Sequence, residues 1–290
     1  MKRTFQWLTL FIAFLLTLYT LPFSLEKPTK ETIIFFPLDR TAAFSKATTT
    51  LQAQSENPHR SYSLLWKVSS SLNETAYLRQ DISLLFADGR LVGTLSKWEE
   101  NSQTLLQEED TKQKDSHFFQ SISFHYGELH RGQTITSAQK MSGDYLYVVA
   151  SSYEPFTSFR RGKTASEKEW QRVLTKTTTD FLQYNAQTML DNLAIPLENY
   201  YHFYLPELLV YNEQPFPGIS QAKTQKIIGN IWEGLYKNYF LGVKQKDGMV
   251  VSPIGSTIPL LLISKDYSHL LVLTKMKNGE TVQLMQQISP

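Results

Sequence analysis

The chain has 290 residues, with 29 Lys and Arg against 27 Asp and Glu, and no cysteine. A net charge of +2 with the basic residues spread along the chain argues against a nucleic-acid binder, which needs clustered positive charge to displace counterions. The missing cysteine excludes disulfides, a thiol nucleophile, thiolate metal sites and lipid attachment to a cysteine.

Lys2 and Arg3 precede an uncharged apolar run from Phe5 to about Leu21, closed by Pro22. A helix rises about 1.5 Å per residue, so crossing a hydrocarbon core takes about 20 apolar residues. Phe5 to Leu25 reaches that length, with Trp7 and Tyr19 near its two ends. The expectation is an uncleaved transmembrane signal-anchor over 1–25, its N-terminus cytoplasmic and the bulk extracytoplasmic. The rival is secretion after signal cleavage. It is weakened because Pro22 and Leu18 stand where a cleavage site wants small residues.

Thr32 to Leu38 reads as a strand after a short polar spacer. Thr41 to Pro58 is polar and reads as a loop or a weak helix. From Ser61 to Ser151 the pattern is an antiparallel β-meander of five to seven strands. Tyr62–Val68, Ile82–Phe86 and Leu91–Leu95 are apolar runs, and Asp88-Gly89 makes a hairpin turn between the last two. Gln107 to Asp115 reads as a solvated turn. Phe118–Tyr126 alternates as a half-buried strand. Ser142-Gly143-Asp144 reads as a turn into Tyr145–Ala150.

Two amphipathic helices follow. Ser166 with Glu169 forms a capping box, Trp170 to Leu193 keeps helical spacing, and Pro196 ends the run. Ser220 caps a second helix with an apolar stripe from Ile227 to Phe240. The end returns to β: Ile258–Ser264, Leu270–Lys275, and a hairpin through Asn278-Gly279 into Thr281–Ile288. This order predicts an α+β fold, with a β-rich region over 26–151 and an α+β region over 152–290, either separate or continuous.

No complete catalytic signature is present. Gly162-Lys163-Thr164 imitates a phosphate-binding loop, but Thr157 stands where the first glycine belongs, so no nucleotide is expected. Arg160, Arg161 and Lys163 are left as an anion or headgroup contact. Ser220-Gln-Ala-Lys223 has the spacing of a serine acyl-enzyme without its later motifs, and reads as a helix cap. His117, His125, Glu128 and His130 are the densest set of metal-ligand types, but strand parity turns His125 away from Glu128 and His130, so no metal or other cofactor is expected. Asn73-Glu74-Thr75 matches a glycosylation triplet and reads as chance. The aromatic stretch between the helices offers the preferred binding surface: Tyr200, Tyr201, His202, Tyr204 and Glu207.

The expected function is a membrane-anchored binding or regulatory accessory module of the bacterial cell envelope. Its partners are the membrane through residues 5–25 and an envelope protein or glycan. The alternative is an envelope hydrolase or carbohydrate-active enzyme with a site around His202 and Glu207.

Overall fold

The computed structural model describes residues 36–55, 61–244 and 249–288. Strands β1 (Phe44–Ser55), β2 (Ser61–Ala87), β3 (Arg90–Lys114), β4 (His117–Arg131), β5 (Thr134–Val149) and β6 (Thr157–Phe159) form one antiparallel sheet. Helix α1 (Ala165–Leu193) follows, then β7 (Tyr200–Tyr204), the 3-10 segment Leu205–Asn212 and helix α2 (Gln221–Tyr239). After the short pair β8 (Val243–Lys244) and β9 (Val250–Val251) come β10 (Leu260–Ser264), β11 (His269–Lys275) and β12 (Thr281–Gln287). These last three and β7 make a second sheet in the order β12-β11-β10-β7.

The large sheet is organised by the length of β2. Its first half pairs with β1, from Tyr62↔Ser55 to Leu72↔Phe44. Its second half pairs along the same edge with β4, from Leu78↔Glu128 to Ala87↔Phe119. Strand β3 runs along the whole opposite edge; at its start Leu91 exchanges backbone bonds with Gly255 and Ser256, and beyond that no strand pairs with its outer edge among the described residues. Between the halves, β2 advances five residues from Ser71 to Ala76 while β3 advances only from Thr104 to Ser102. The extra residues bend the strand and exchange its two faces. Tyr62, Leu64, Trp66 and Val68 therefore share an interior with Leu85, Ala87, Phe119 and Val148. Asn101, with φ 49°, turns β3 at the same corner.

The curled sheet is nearly a closed barrel, and side chains complete the seam between β1 and β5. Asp144 Oδ2 accepts the Leu51 N–H at 2.8 Å, and Arg160 donates to the Leu51 carbonyl at 3.0 Å. Arg160 also grips Asp144 with two bonds of 2.7 and 2.5 Å. A charged pair thus does what a neighbouring strand would do.

Helix α2 lies between the two sheets. Ile227, Ile228, Ile231, Trp232 and Leu235 meet Ile82, Leu84, Ile122 and Phe124 of the large sheet and Leu261, Ile263, Leu270 and Val272 of the small one. The alternate residues Leu260, Leu262, Leu271 and Leu273 meet Ala186, Met189 and Leu190 of α1 on the far face. Both faces of β10 and β11 are covered, which is why these strands read as unbroken apolar runs.

The tip of the β2–β3 hairpin joins the layers. Asp88 and Gly89 take φ 48° and 82°, the geometry that a two-residue hairpin turn requires. Gly89 sits against Phe181 and Leu182 of α1, and its carbonyl accepts the Ile258 N–H at 2.8 Å. The Asp88 carboxylate accepts the Phe118 N–H at 2.9 Å and meets His117 Nδ1 at 2.6 Å.

Several expectations are corrected. The α+β class with an N-terminal transmembrane helix does not fit: the described residues are 52% strand and 24% helix, so the fold is mostly β. Among the described residues no helix is long and apolar enough to cross a membrane, and Phe5–Leu25 lies outside them. Most of the expected loop Thr41–Pro58 is strand β1; the turns expected at Gln107–Asp115 and Ser142–Asp144 are the continuing bodies of β3 and β5. The capping box of α1 is Thr164 with Glu167, two residues before Ser166 and Glu169. Both pairs fit the same template, and the earlier one adds helical residues to an already long element. Ser220 caps α2 as expected, accepting the Lys223 N–H at 3.2 Å.

Two outcomes follow. A Cβ at Gly143 would fall 2.5 Å from Leu209 Cδ1 and 2.8 Å from the Ser121 carbonyl, and the latter cannot yield. Gly143→Ala should lower stability by about 1–3 kcal/mol in urea titration. Burial alone would lower the His117 pKa, but the Asp88 hydrogen bond and charge outweigh it and hold it above the usual value. Its contribution is therefore full below about pH 6.5 and fades as pH rises through the raised folded value. Thermal melts from pH 5.5 to 8.5 should show the wild-type advantage over His117→Gln shrinking with rising pH.

Candidate functional site

The structure brings part of the aromatic stretch into one groove. Even-numbered residues of β7 face α1 and odd-numbered ones face α2, as strand alternation demands. Tyr201 and Phe203 pack on the α2 side. On the α1 side, His202, Tyr204 and Glu207 face Gln183 and Gln187, which lie about one helical turn apart on α1. They line a cavity of about 490 Å³ whose floor includes Leu190, Leu197 and Leu260. Leu190 and Leu260 are held there by the packing of α1 on the small sheet.

Pro206 opens the 3-10 segment that carries Glu207 back toward β7. Glu207 Oε1 accepts the Tyr204 N–H at 3.2 Å. Burial, helped by the Glu207 charge, pushes the Tyr204 phenol up to about 12. It is therefore a hydrogen-bond donor at neutral pH, not a base. Glu207 is the single carboxylate among the side chains lining this cavity.

The remaining named residues lie elsewhere. Tyr200 bonds through its hydroxyl to His269 Nε2 at 2.9 Å, and Tyr201 stacks on Tyr267 with centroids 6.0 Å apart. Tyr211 and Phe216 meet tilted, with centroids 4.2 Å apart, and Phe216 stacks on Phe203 beneath α2. Arg160 is committed to the barrel seam, while Arg161 and Lys163 are exposed before α1. Glu128 and His130 bond each other, and His130 stacks on Tyr77. Asn73 is occupied at the β2 corner: it accepts the Ala43 N–H and donates to the Thr41 carbonyl. Among the described residues no cluster of three metal-ligand side chains occurs.

Sequence reasoning missed a polar cluster inside the barrel. Arg79, Asp81 and His125 are fully buried there. His125 Nδ1 lies 2.8 Å from Asp81 Oδ2 and its Nε2 lies 2.7 Å from Ser142 Oγ, the connectivity of a Ser-His-Asp relay. Other contacts make it structural. Ser142 Oγ is also bonded to Thr49 Oγ1 at 2.6 Å. Asp81 is shared with Ser70 at 2.6 Å and with Arg79 at 3.5 Å. Arg79 in turn donates to the carbonyls of Tyr126 and Gln103. The signal was present in the alternation of Ser121, Ser123 and His125 with Ile122, Phe124 and Tyr126. A period of two separates two faces without saying which one is wet.

Asp81→Asn leaves Arg79 buried without its counter-charge and should cost about 3–5 kcal/mol in urea titration. Ser142→Ala should cost about 1–3 kcal/mol by the same measurement. A fluorophosphonate probe should leave Ser142 unlabelled in the folded protein.

No family model matches this chain, and no curated protein does. A solved structure described as "putative beta-galactosidase from bacteroides fragilis" is similar to part of it, at 11% identity and a TM-score of 0.23. The match covers 41% of this chain and 20% of that one. The chain thus spans about a fifth of that structure's length, and so slight a likeness lends no weight to an activity.

Proposed function

We propose that this chain is a binding module of the cell envelope, working outside the cytoplasmic membrane and taking a protein partner at the groove between α1 and β7. The observation that carries this reading is the convergence of Gln183, Gln187, His202, Tyr204 and Glu207 over an apolar floor. A concave apolar surface with a few convergent polar groups is the usual form of a binding site. Glycoside hydrolysis calls for two carboxylates roughly 5–9.5 Å apart across the scissile bond. The groove offers only Glu207, and its Oε1 already accepts a backbone N–H. That favours recognition over hydrolysis. The extracytoplasmic location rests on the sequence: the basic start, the apolar run that follows, and a chain free of cysteine.

A photoreactive benzophenone side chain placed at the exposed Gln187 tests the reading in intact cells. A discrete covalent adduct is expected there and not from a control at Tyr153, which is 93% exposed. Combining the probe with His202→Ala and Glu207→Ala should reduce the adduct at least about fivefold. No adduct at 187, or equal yields from both positions, would overturn the proposal.

A further inference from the structure

The groove runs beside an open strand edge. Asn199 accepts from the Lys265 N–H, and the Leu205 N–H donates to the Pro259 carbonyl, so odd-numbered backbone groups around β7 face β10. Even-numbered ones face outward. The Tyr200 N–H is taken by the Leu197 carbonyl, and the Tyr204 N–H by Glu207. Between them the outward N–H and C=O of His202 meet no partner among the described residues. Unpaired N–H and C=O groups on the edge of a strand are a template for another chain.

Charge selects what kind of chain. Residues 177–222 contain five carboxylates and no Lys or Arg. Two of the carboxylates are neutralised, Asp180 by Lys176 and Glu213 by Lys140. Asp191, Glu198 and Glu207 have no cationic partner among the described residues. Helix α1 has Asp191 in its last turn and no basic residue there, so its negative end is reinforced instead of offset.

We infer that the partner at this groove is an extended cationic peptide segment, which adds to the outer edge of β7 as a fifth strand of the small sheet and sends a Lys or Arg to Glu207. This rests on the groove being the binding site. The added strand would lie about 4.8 Å from β7 and bond through the His202 backbone. Alternate side chains would enter the groove over Leu190 and Leu197, where the amides of Gln183 and Gln187 supply further bonds. The edge gives affinity and the carboxylates give selection for positive charge.

The test is fluorescence anisotropy of the full chain with an acetylated Thr-Lys repeat octapeptide at low salt. The Thr-Glu counterpart should bind at least about tenfold more weakly, and so should a Thr-Lys peptide N-methylated at alternate residues. Glu207→Gln should weaken the Thr-Lys peptide about fivefold and flatten its salt dependence. His202→Pro, which removes the outward-facing N–H on an edge strand along with the imidazole, should abolish binding, while His202→Gln, which loses the imidazole alone, retains it. Equal binding of the lysine and glutamate peptides, or indifference to N-methylation, overturns the inference. Displacement of the lysine peptide by a neutral N-acetylglucosamine oligomer also overturns it, in favour of a glycan occupant. If the cross-link at 187 still forms in those cases, the groove reading stands and only the peptide inference falls; if it does not, both fall.

Discussion

The extra residues that β2 carries between Ser71 and Ala76 turn its side chains over, and the large sheet depends on that turn. Before the corner the inward positions are even-numbered, ending in Ser70; after it they are odd-numbered, starting with Arg79 and Asp81. Without the corner, Asp81 and Ser83 would share a face with solvent or with α2, and Ile82 and Leu84 would lose the helix. With it, the two halves of one strand close on each other, and Ser70 bonds Asp81 at 2.6 Å across the interior. The buried ion pair sits where the bend must hold. Its desolvation is offset by bonds from Ser70 and His125 to the carboxylate and from the guanidinium to two carbonyls.

A curled sheet with a bend leaves strand edges short of partners, and side chains supply them. Asp144 and Arg160 serve both backbone groups of Leu51. Asn212 does the same for Met141, accepting its N–H at 3.0 Å and donating to its carbonyl at 2.9 Å. Asn73 does so for the start of β1. Amides and carboxylates reproduce the donor and acceptor of a peptide group, so a single residue can stand in for a strand at each edge. The Asn212 clamp has a further result. It fixes the end of the 3-10 segment against β5, and this segment presents Glu207 to the groove.

Much of the small sheet could be read from the sequence, because β10, β11 and the turn at Asn278-Gly279 carry strong local signals. The hairpin at Asp88-Gly89 and the cap at Ser220 were legible for the same reason. The groove was legible in part: His202, Tyr204 and Glu207 are close in sequence, and a strand followed by a 3-10 turn keeps them close. The contribution of Gln183 and Gln187 was hidden because it depends on how α1 packs. Strand β1 was hidden because Thr48-Thr49-Thr50 looks like loop, whereas Thr49 turns inward to bond Ser123 and Ser142. The barrel's polar core was hidden because serines alternating with apolar residues look solvated until both faces of the sheet are covered.

Beyond Leu91 the outer edge of β3 is open among the described residues, yet it differs in kind from that of β7. Glu108, Glu109 and Asp110 lie together on it, with Lys67 paired to Glu108 alone. Were two copies to meet antiparallel about Glu109, that residue would face its own counterpart and Glu108 would face Asp110. Like charges opposed across a ladder repel. The barrier to stacking copy upon copy is thus a matter of charge and not of shape, and its reach is about 10 Å at 0.1 M salt. Raising the ionic strength screens that repulsion and lowers the barrier to pairing at this edge.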